Sequence, residues 1–180
     1  TALAVTGDTA PKTLPLAFSQ GGEATLAGTV TGNFTNPLFH GEVAIANASI
    51  EGRRFDRLSG DIAASRASVE MRRMTIARGQ TQITGDVMAA ANGNDFMTGP
   101  LIAQLNVRNA SLAEAARELG IATDAQGMAS AAVHLSGSAQ QPEAEITINA
   151  RDVSVNGEHA ESLRGTLRYT DHSLTVTGGQ

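Results

Sequence analysis

The amino-acid sequence predicts an all-β protein in which short strands form a thin, extended sheet, with a compact β-sandwich as the alternative. Apolar residues make up 41% of the 180 residues, and they alternate with polar residues at a period of two. Aromatic residues amount to only 3%, which favours an aliphatic sheet over a compact core with aromatic anchors. Glycine and proline recur at a fixed spacing, as is typical of a repeat array.

An internal repeat relates two parts of the chain at a spacing of 105 residues. The first copy carries Gly32, Pro37, Gly52, Leu58 and Gly60. The second copy carries Gly137, Pro142, Gly157, Leu163 and Gly165. We therefore divide the chain into repeat one (22–76), connecting strands with a short helix (77–126) and repeat two (127–180). The whole chain 1–180 is expected to be a piece of a longer array.

The first strands and the first loop are predicted from the glycine and proline positions and from the alternation of apolar residues. Residues 3–7 are similar in sequence to residues 174–178, so both segments are predicted to be closing strands of a repeat. Residues 8–22 are predicted to be a loop that contains one short extended piece at 14–18. From Ala24 onward Leu26, Gly28 and Val30 share one parity, which predicts a strand with one face to bury.

The pattern of the next strand predicts a bulge, because its apolar residues change from odd-numbered to even-numbered positions. They are odd-numbered up to Ile45, and after Asn47 they become the even-numbered Ala48 and Ile50. The second repeat makes the same change after Asp152. Since a slip of one residue turns every side chain to the opposite face, the shared change predicts a bulge or corner built into both repeats.

Further strands are predicted from alternation and turn residues, to a total of roughly a dozen short strands. The predicted hairpin arms are 62–64 with 69–71 and 167–169 with 174–176, and the connecting strands are 74–77, 82–89 and 101–107. One helix is predicted at 111–119, because Ser111 and Glu114 have the capping-box spacing and Gly120 supplies a C-terminal stop. It is too short to be stable alone, so we expect it to cover one end of a sheet.

Composition excludes several classes of function. The net charge is −5 and the largest basic clusters are Arg53-Arg54 and Arg72-Arg73, which argues against a nucleic-acid partner and a polybasic membrane anchor. The absence of cysteine excludes disulfides and thiolate zinc sites. No apolar run approaches the ~20 residues of a spanning helix. No signal peptide is recognisable, so we expect targeting information to have been removed or to lie outside this piece.

Candidate chemical sites are weak. The histidines lack metal-ligand spacing, so we expect surface residues and no metal or cofactor. His172 beside Asp171 is interpreted as a hairpin-turn residue. The carboxylate pairs Asp56 with Asp61 and Glu143 with Glu145 are interpreted as solvated rather than as glycosidase pairs. The pair Arg72-Arg73 is predicted to be an exposed turn, with contact to an anionic head group as the alternative. The histidines considered are His40, His134, His159 and His172.

The repeat resembles the AsmA-like and TamB families of bacterial envelope proteins. The resemblance rests on Gly32, Pro37 and the segments VAIANASI (43–50) and FDRLSGDI (55–62). In repeat two it rests on Gly137, Pro142 and LRGTL (163–167), and the join from 105–107 through the helix to Gly127 is also similar to the linker between repeats in that group.

The resemblance implies an elongated, curved half-pipe, or β-taco, with an apolar concave face. It further implies a periplasmic location and passage of phospholipids between the inner and outer membranes, with the inner-membrane anchor supplied by the full-length chain. For the TamB branch it implies a role in assembly of outer-membrane β-barrels and autotransporters with an Omp85-type partner. It carries no catalytic motif, so an enzyme is not expected.

The residues themselves support one part of this hypothesis. A single sheet with aliphatic side chains on one face has nothing of its own sequence to cover that face, and acyl chains would gain about 0.8 kcal/mol for each buried methylene. Without such a cover, the isolated chain is expected to self-associate. The predicted lipid-groove residues are Leu26, Val30, Val43, Ile45, Ile50, Ile62, Leu105, Val107, Val133, Leu135, Ile146, Ile148, Val155 and Leu167.

Overall fold

The computed structural model describes residues 16–50, 52–118, 120, 122–170 and 173–177. These residues form one open antiparallel sheet of ten strands with one short helix, which confirms the all-β prediction. Each strand is hydrogen-bonded to its neighbours in sequence, in the order β1 to β10. No second sheet is present among these residues, so the alternative of a compact sandwich is wrong.

The elements are long relative to the predicted ones. Their bounds are β1 (Leu16–Asn33), β2 (Asn36–Ile50), β3 (Arg53–Ala64), β4 (Ser68–Arg78), β5 (Thr81–Ala90), β6 (Leu101–Ser111), α1 (Leu112–Glu118), β7 (Ala125–Gly137), β8 (Pro142–Val155), β9 (Glu158–Thr170) and β10 (Ser173–Thr177). The predicted strand at 3–7 and the first part of the predicted loop, 8–15, lie outside the described residues. None of the helical residues that the structure describes forms a segment long and apolar enough to cross a membrane.

Two predicted interruptions are wrong, because bulges carry the strands through them. Strand β1 continues through Gly21 and Gly22, where its register with β2 shifts between Phe18 and Glu23. Strand β4 continues through Arg72 and Arg73, which form a bulge rather than a turn. A bulge breaks the alternation of side chains without ending the ladder, so it looks like a strand end in the sequence.

The backbone repeats the 105-residue spacing. Gly32 and Gly137 have φ of +87° and +91°, and each pairs with a proline at the start of the next strand, Pro37 or Pro142. The predicted parity change is also present as a backbone feature. Asn47 has φ of +49° and Asp152 has φ of +52°. After each of them, the buried residues of the strand no longer follow the alternation that precedes it but lie one position further along. The predicted bulge is therefore confirmed in both copies.

Two further bulge residues were not predicted. Arg73 in β4 and Asn109 in β6 have φ of +50° and +54°, and the register of their strands shifts beside them. Every second strand from β2 to β8 thus contains a left-handed residue within a sheet of right-handed twist. Because bulges bend a strand and increase its twist, they give this single sheet its curvature.

The register divides the sheet into two chemically different faces, because directly paired residues point to the same side. We call the aliphatic side the apolar face. One row across it consists of Met74, Gly85, Leu105, Val133, Ile146, Leu167 and Val176. The neighbouring row on the opposite, polar face consists of Thr75, Thr84, Asn106, Ala132, Thr147, Thr166 and Thr177.

Burial of alanine shows which way the sheet curves. On the apolar face Ala103 is 3% exposed and Ala150 is 2% exposed, whereas Ala44 and Ala132 on the polar face are exposed. Two faces of a flat single sheet would bury the same residue equally. The side chains therefore converge on the apolar face, which is the concave side of a curved half-pipe.

The helix lies against the central strands β6 and β7 and lines a cavity on the concave side. It begins after Ser111, whose Oγ accepts a hydrogen bond from the Glu114 N–H at 3.4 Å. After it, Gly120 has φ of +68° and donates its N–H to the Arg117 carbonyl at 3.2 Å. The helix contacts β6 and β7 and buries Ala116. Leu119, the last residue of the predicted helix, lies outside the described residues.

Candidate functional site

The predicted groove residues lie together on the apolar face. Leu105 belongs to the row already described, and Val107 belongs to the next one. That row consists of Ala24, Ile45, Leu58, Ile76, Ile83, Val107, Ala131, Ile148 and Gly165. On the other side of Leu105 lies a row of Gly28, Gly41, Ile62, Met71, Val87, Ala103, Leu135, Ala144 and Tyr169. Val30 belongs to a fourth row, and Ile50 and Val155 lie beyond the bulges of their strands.

These central rows contain no charged residue, and ion pairs of the same strands lie on the polar face. Arg168 donates to Glu145 across the β8–β9 ladder at 2.6 Å. The hydrogen bond and the positive charge of Arg168 lower the pKa of the Glu145 carboxyl below its usual range. Arg73 is similarly paired with Asp61. Charged side chains of the polar face thus pair with each other across the ladders, whereas the central rows of the apolar face are mainly aliphatic.

The dimensions of the apolar face suit hydrocarbon chains. Ten strands about 4.8 Å apart give a length of about 43 Å, and four rows spaced two residues apart give a width of about 20 Å. One leaflet of the hydrocarbon core of a bilayer is about 15 Å thick. A single acyl chain therefore fits along or across the rows without leaving them.

Much of this surface is open at the edges of the sheet. Leu26 and Val30 in β1 are 61% and 67% exposed, and Val176 in β10 is 66% exposed. The densest packing lies around Ala48, Phe55 and Leu58, against which Ile45 and neighbouring residues pack. Apart from α1, no described element covers the apolar face.

The other candidate residues from the sequence form no shared site. His40, His134 and His159 are exposed, and His172 lies outside the described residues. No cluster of metal-ligating side chains occurs in the part of the chain that the structure describes. Among the carboxylates, Asp56 accepts the backbone N–H of Gly79 at 2.6 Å, while Asp61 and Glu145 are in the ion pairs above. These contacts hold neighbouring strands together.

The sequence did not predict a cavity of about 410 Å³ beneath helix α1. Its floor contains Phe55, Ile76 and Ile83, and its rim contains Arg53 and Arg54. Strand β3 supplies both rim residues and the aromatic ring, and the helix closes the opposite side. In the sequence, the one trace of this cavity is the Arg53-Arg54 pair directly before Phe55. The pairing of the strands is what brings the helix and β5 beside these residues.

A second cavity, of about 500 Å³, lies near the β7–β8 turn. It contains Pro100, Pro142 and Tyr169, together with the carboxylate of Glu143. No arginine or lysine lines it among the described residues. The two cavities therefore differ in the sign of the charge at their rims.

Comparison of the chain with protein-family models, with curated proteins and with solved structures finds no match. The resemblance to the AsmA-like and TamB families therefore stays a prediction. The function has to be argued from the geometry of the two faces.

Proposed function

We propose that the chain shelters acyl chains of phospholipids on its apolar face, as a non-enzymatic segment of a periplasmic bridge between the inner and outer membranes. The observation that carries this proposal is the set of adjacent, charge-free rows that cross the sheet on its concave side. A sheet of this kind normally buries its aliphatic face against a second layer. The described residues supply only the short helix α1 for that purpose.

The same rows favour movement of a bound chain over fixed binding. Each methylene removed from water contributes about 0.8 kcal/mol wherever it lies along the rows. Polar groups that would fix one position are missing from the central rows, apart from the Tyr169 hydroxyl at one end. A hydrocarbon chain would therefore find similar free energies at successive strands and could slide between them.

The direct test places a photo-crosslinking amino acid at Val107 and, as the matched control, at Asn106. The two residues are neighbours in β6, but Val107 is on the apolar face and Asn106 is on the polar face. We expect phospholipid to crosslink at Val107 and not at Asn106, and to remain bound in native mass spectrometry. Equal labelling at both positions, or no lipid at either, would contradict the proposal.

A pair of charge variants tests the same proposal by loss of binding. Leu26→Asp with Val30→Asp places carboxylates on the exposed edge of the apolar face, where folding does not require burial of these side chains. Thr25→Asp with Thr29→Asp adds the same charge to the polar face of the same strand. We expect the first pair to lower the amount of bound phospholipid severalfold and the second pair to leave it unchanged.

A second candidate function is a scaffold for strands of outer-membrane β-barrel proteins or autotransporters, with an Omp85-type partner. Strand β1 is paired only with β2 among the described residues, so the backbone groups of its outer edge are available for strand addition. Its counterpart in repeat two, β7, has the equivalent edge paired with β6. Under this alternative, a crosslinker at Thr31 in β1 would capture polypeptide, and the crosslinker at Val107 would capture no lipid.

A further inference from the structure

We propose that the cavity beneath α1 binds the phosphate head group of an anionic amphiphile, whose hydrocarbon chain continues along the apolar face. The inference rests on the proposed function for the path of the chain. It goes further in naming the head-group chemistry and the place on the sheet at which the head group is held. The cavity is defined by Arg53, Arg54, Phe55, Ile76, Ile83 and Ala115.

The floor of the cavity is continuous with the apolar face. Ile76 and Ile83 are paired with each other and belong to the row of Val107. Phe55 is 7% exposed and packs with Leu58 of the same row. A chain that lies on this row therefore reaches the cavity without crossing a polar side chain. The volume of about 410 Å³ lies within the usual range for ligand sites, about 300–1,000 Å³.

The rim has the charge that a phosphate requires. Arg53 and Arg54 line it, and Glu114 is the one carboxylate among the lining residues that the structure describes. This local excess of positive charge contrasts with the net charge of −5 of the whole chain. Guanidinium groups donate paired, charge-assisted hydrogen bonds to phosphate oxygens, which makes arginine well suited to this head group.

The rim belongs to one copy of the repeat only. At the spacing of 105 residues, Arg53 and Arg54 correspond to Glu158 and His159, and Phe55 corresponds to Ala160. The repeat frame itself therefore does not require two arginines and an aromatic ring at this turn. The combination of these three residues with helix α1 occurs at this cavity, and the cavity beside Glu143 lacks it.

The test compares the binding of three probes below their micellar concentrations by isothermal titration calorimetry. Octyl phosphate has both the charge and the chain, octyl glucoside has an uncharged head group, and inorganic phosphate has no chain. We expect octyl phosphate to bind about tenfold more tightly than either of the others, because only it gains both the charge-assisted hydrogen bonds to arginine and the burial of the chain.

The variant Arg53→Gln with Arg54→Gln should remove the preference for octyl phosphate over octyl glucoside. Arg66→Gln with Arg164→Gln is the matched control, since it removes the same charge from exposed positions away from the cavity. We expect the control to keep the preference. Circular dichroism of both double variants verifies that the sheet is retained.

The outcomes separate this inference from the proposed function. Equal binding of octyl phosphate and octyl glucoside overturns the head-group site, even if phospholipid crosslinks at Val107. Tight binding of inorganic phosphate alone also overturns it, because the apolar floor would then contribute nothing. A preference that depends on Arg53 and Arg54, without lipid at Val107, supports the head-group site and contradicts lipid sheltering along the sheet.

Discussion

At the scale of single residues, backbone conformation explains the choice of side chain at the bulges. Asn47, Asn109 and Asp152 have positive φ, a conformation that Asn and Asp tolerate better than most residues. Arg73 is the exception, and two contacts hold it in place. Its N–H donates to Asp86 Oδ1 at 2.8 Å, and its guanidinium pairs with Asp61. Neighbouring carboxylates thus stabilise a residue that has no intrinsic preference for this conformation.

Substitution of Asp152 tests whether the bulge imposes this conformation. Asp152→Gly should change stability little, whereas Asp152→Val should lower the free energy of unfolding by about 1–2 kcal/mol, because a β-branched residue is strained at positive φ. Urea unfolding measures both. Thr147→Val, in the extended part of the same strand, is the control and should stay within about 0.5 kcal/mol. Equal stability of the Gly and Val variants at 152 would show that the bulge does not impose the conformation.

At the scale of elements, the β1–β2 ladder contains a close approach of two glycines on the apolar face. Gly28 and Gly41 are directly paired. A Cβ atom on Gly41 would collide with the backbone carbonyl oxygen of Ala27, and would lie 2.7 Å from Cζ of Phe39 and 2.8 Å from the Gly28 Cα. The backbone of the paired strand and the Phe39 ring therefore occupy the space that a side chain at either glycine would take. This arrangement allows the two strands to pair closely at the open edge of the sheet.

Gly41→Ala should separate β1 from β2, because the added methyl group would collide with the Ala27 carbonyl oxygen of β1 as well as with the Phe39 ring. We expect the free energy of unfolding to fall by about 1–3 kcal/mol, as for other overpacked sites. Hydrogen exchange should also show faster exchange of β1 amides, with β5 and β6 unaffected. Ala44→Ser, on the polar face of β2, is the control that should leave exchange unchanged. Unaltered exchange of β1 in the glycine variant would contradict the role of the close approach.

The sequence predicts the hairpins and the faces well, because both depend on local pattern. It underestimates strand length, because a bulge and a strand end leave the same local trace. The segment around Met71 and Met74 is an example, since the ladder continues through the two arginines between them. The cavity beneath α1 has no local pattern at all. Its residues meet only after five neighbouring strands and the helix are in register.

At the scale of the whole molecule, the sheet is a linear stack in which strands contact their neighbours in sequence. Each strand is stabilised mainly by the two ladders beside it, as in other repeat proteins. Strands β1 and β10 have one ladder each among the described residues, and β10 is five residues long. Because no second layer packs on the aliphatic face of the described residues, burial of that face adds little to the stability of these terminal strands.

This architecture predicts that the sheet opens from its ends. Amides of β10 should exchange first, followed by those of β9, while β5 and β6 should exchange only through global unfolding. Local opening free energies should therefore rise from near zero at the ends toward the global value in the centre. Hydrogen exchange with mass spectrometry resolves this gradient by strand. Uniform exchange throughout the sheet would contradict it, because it would require cooperativity that nearest-neighbour ladders do not provide.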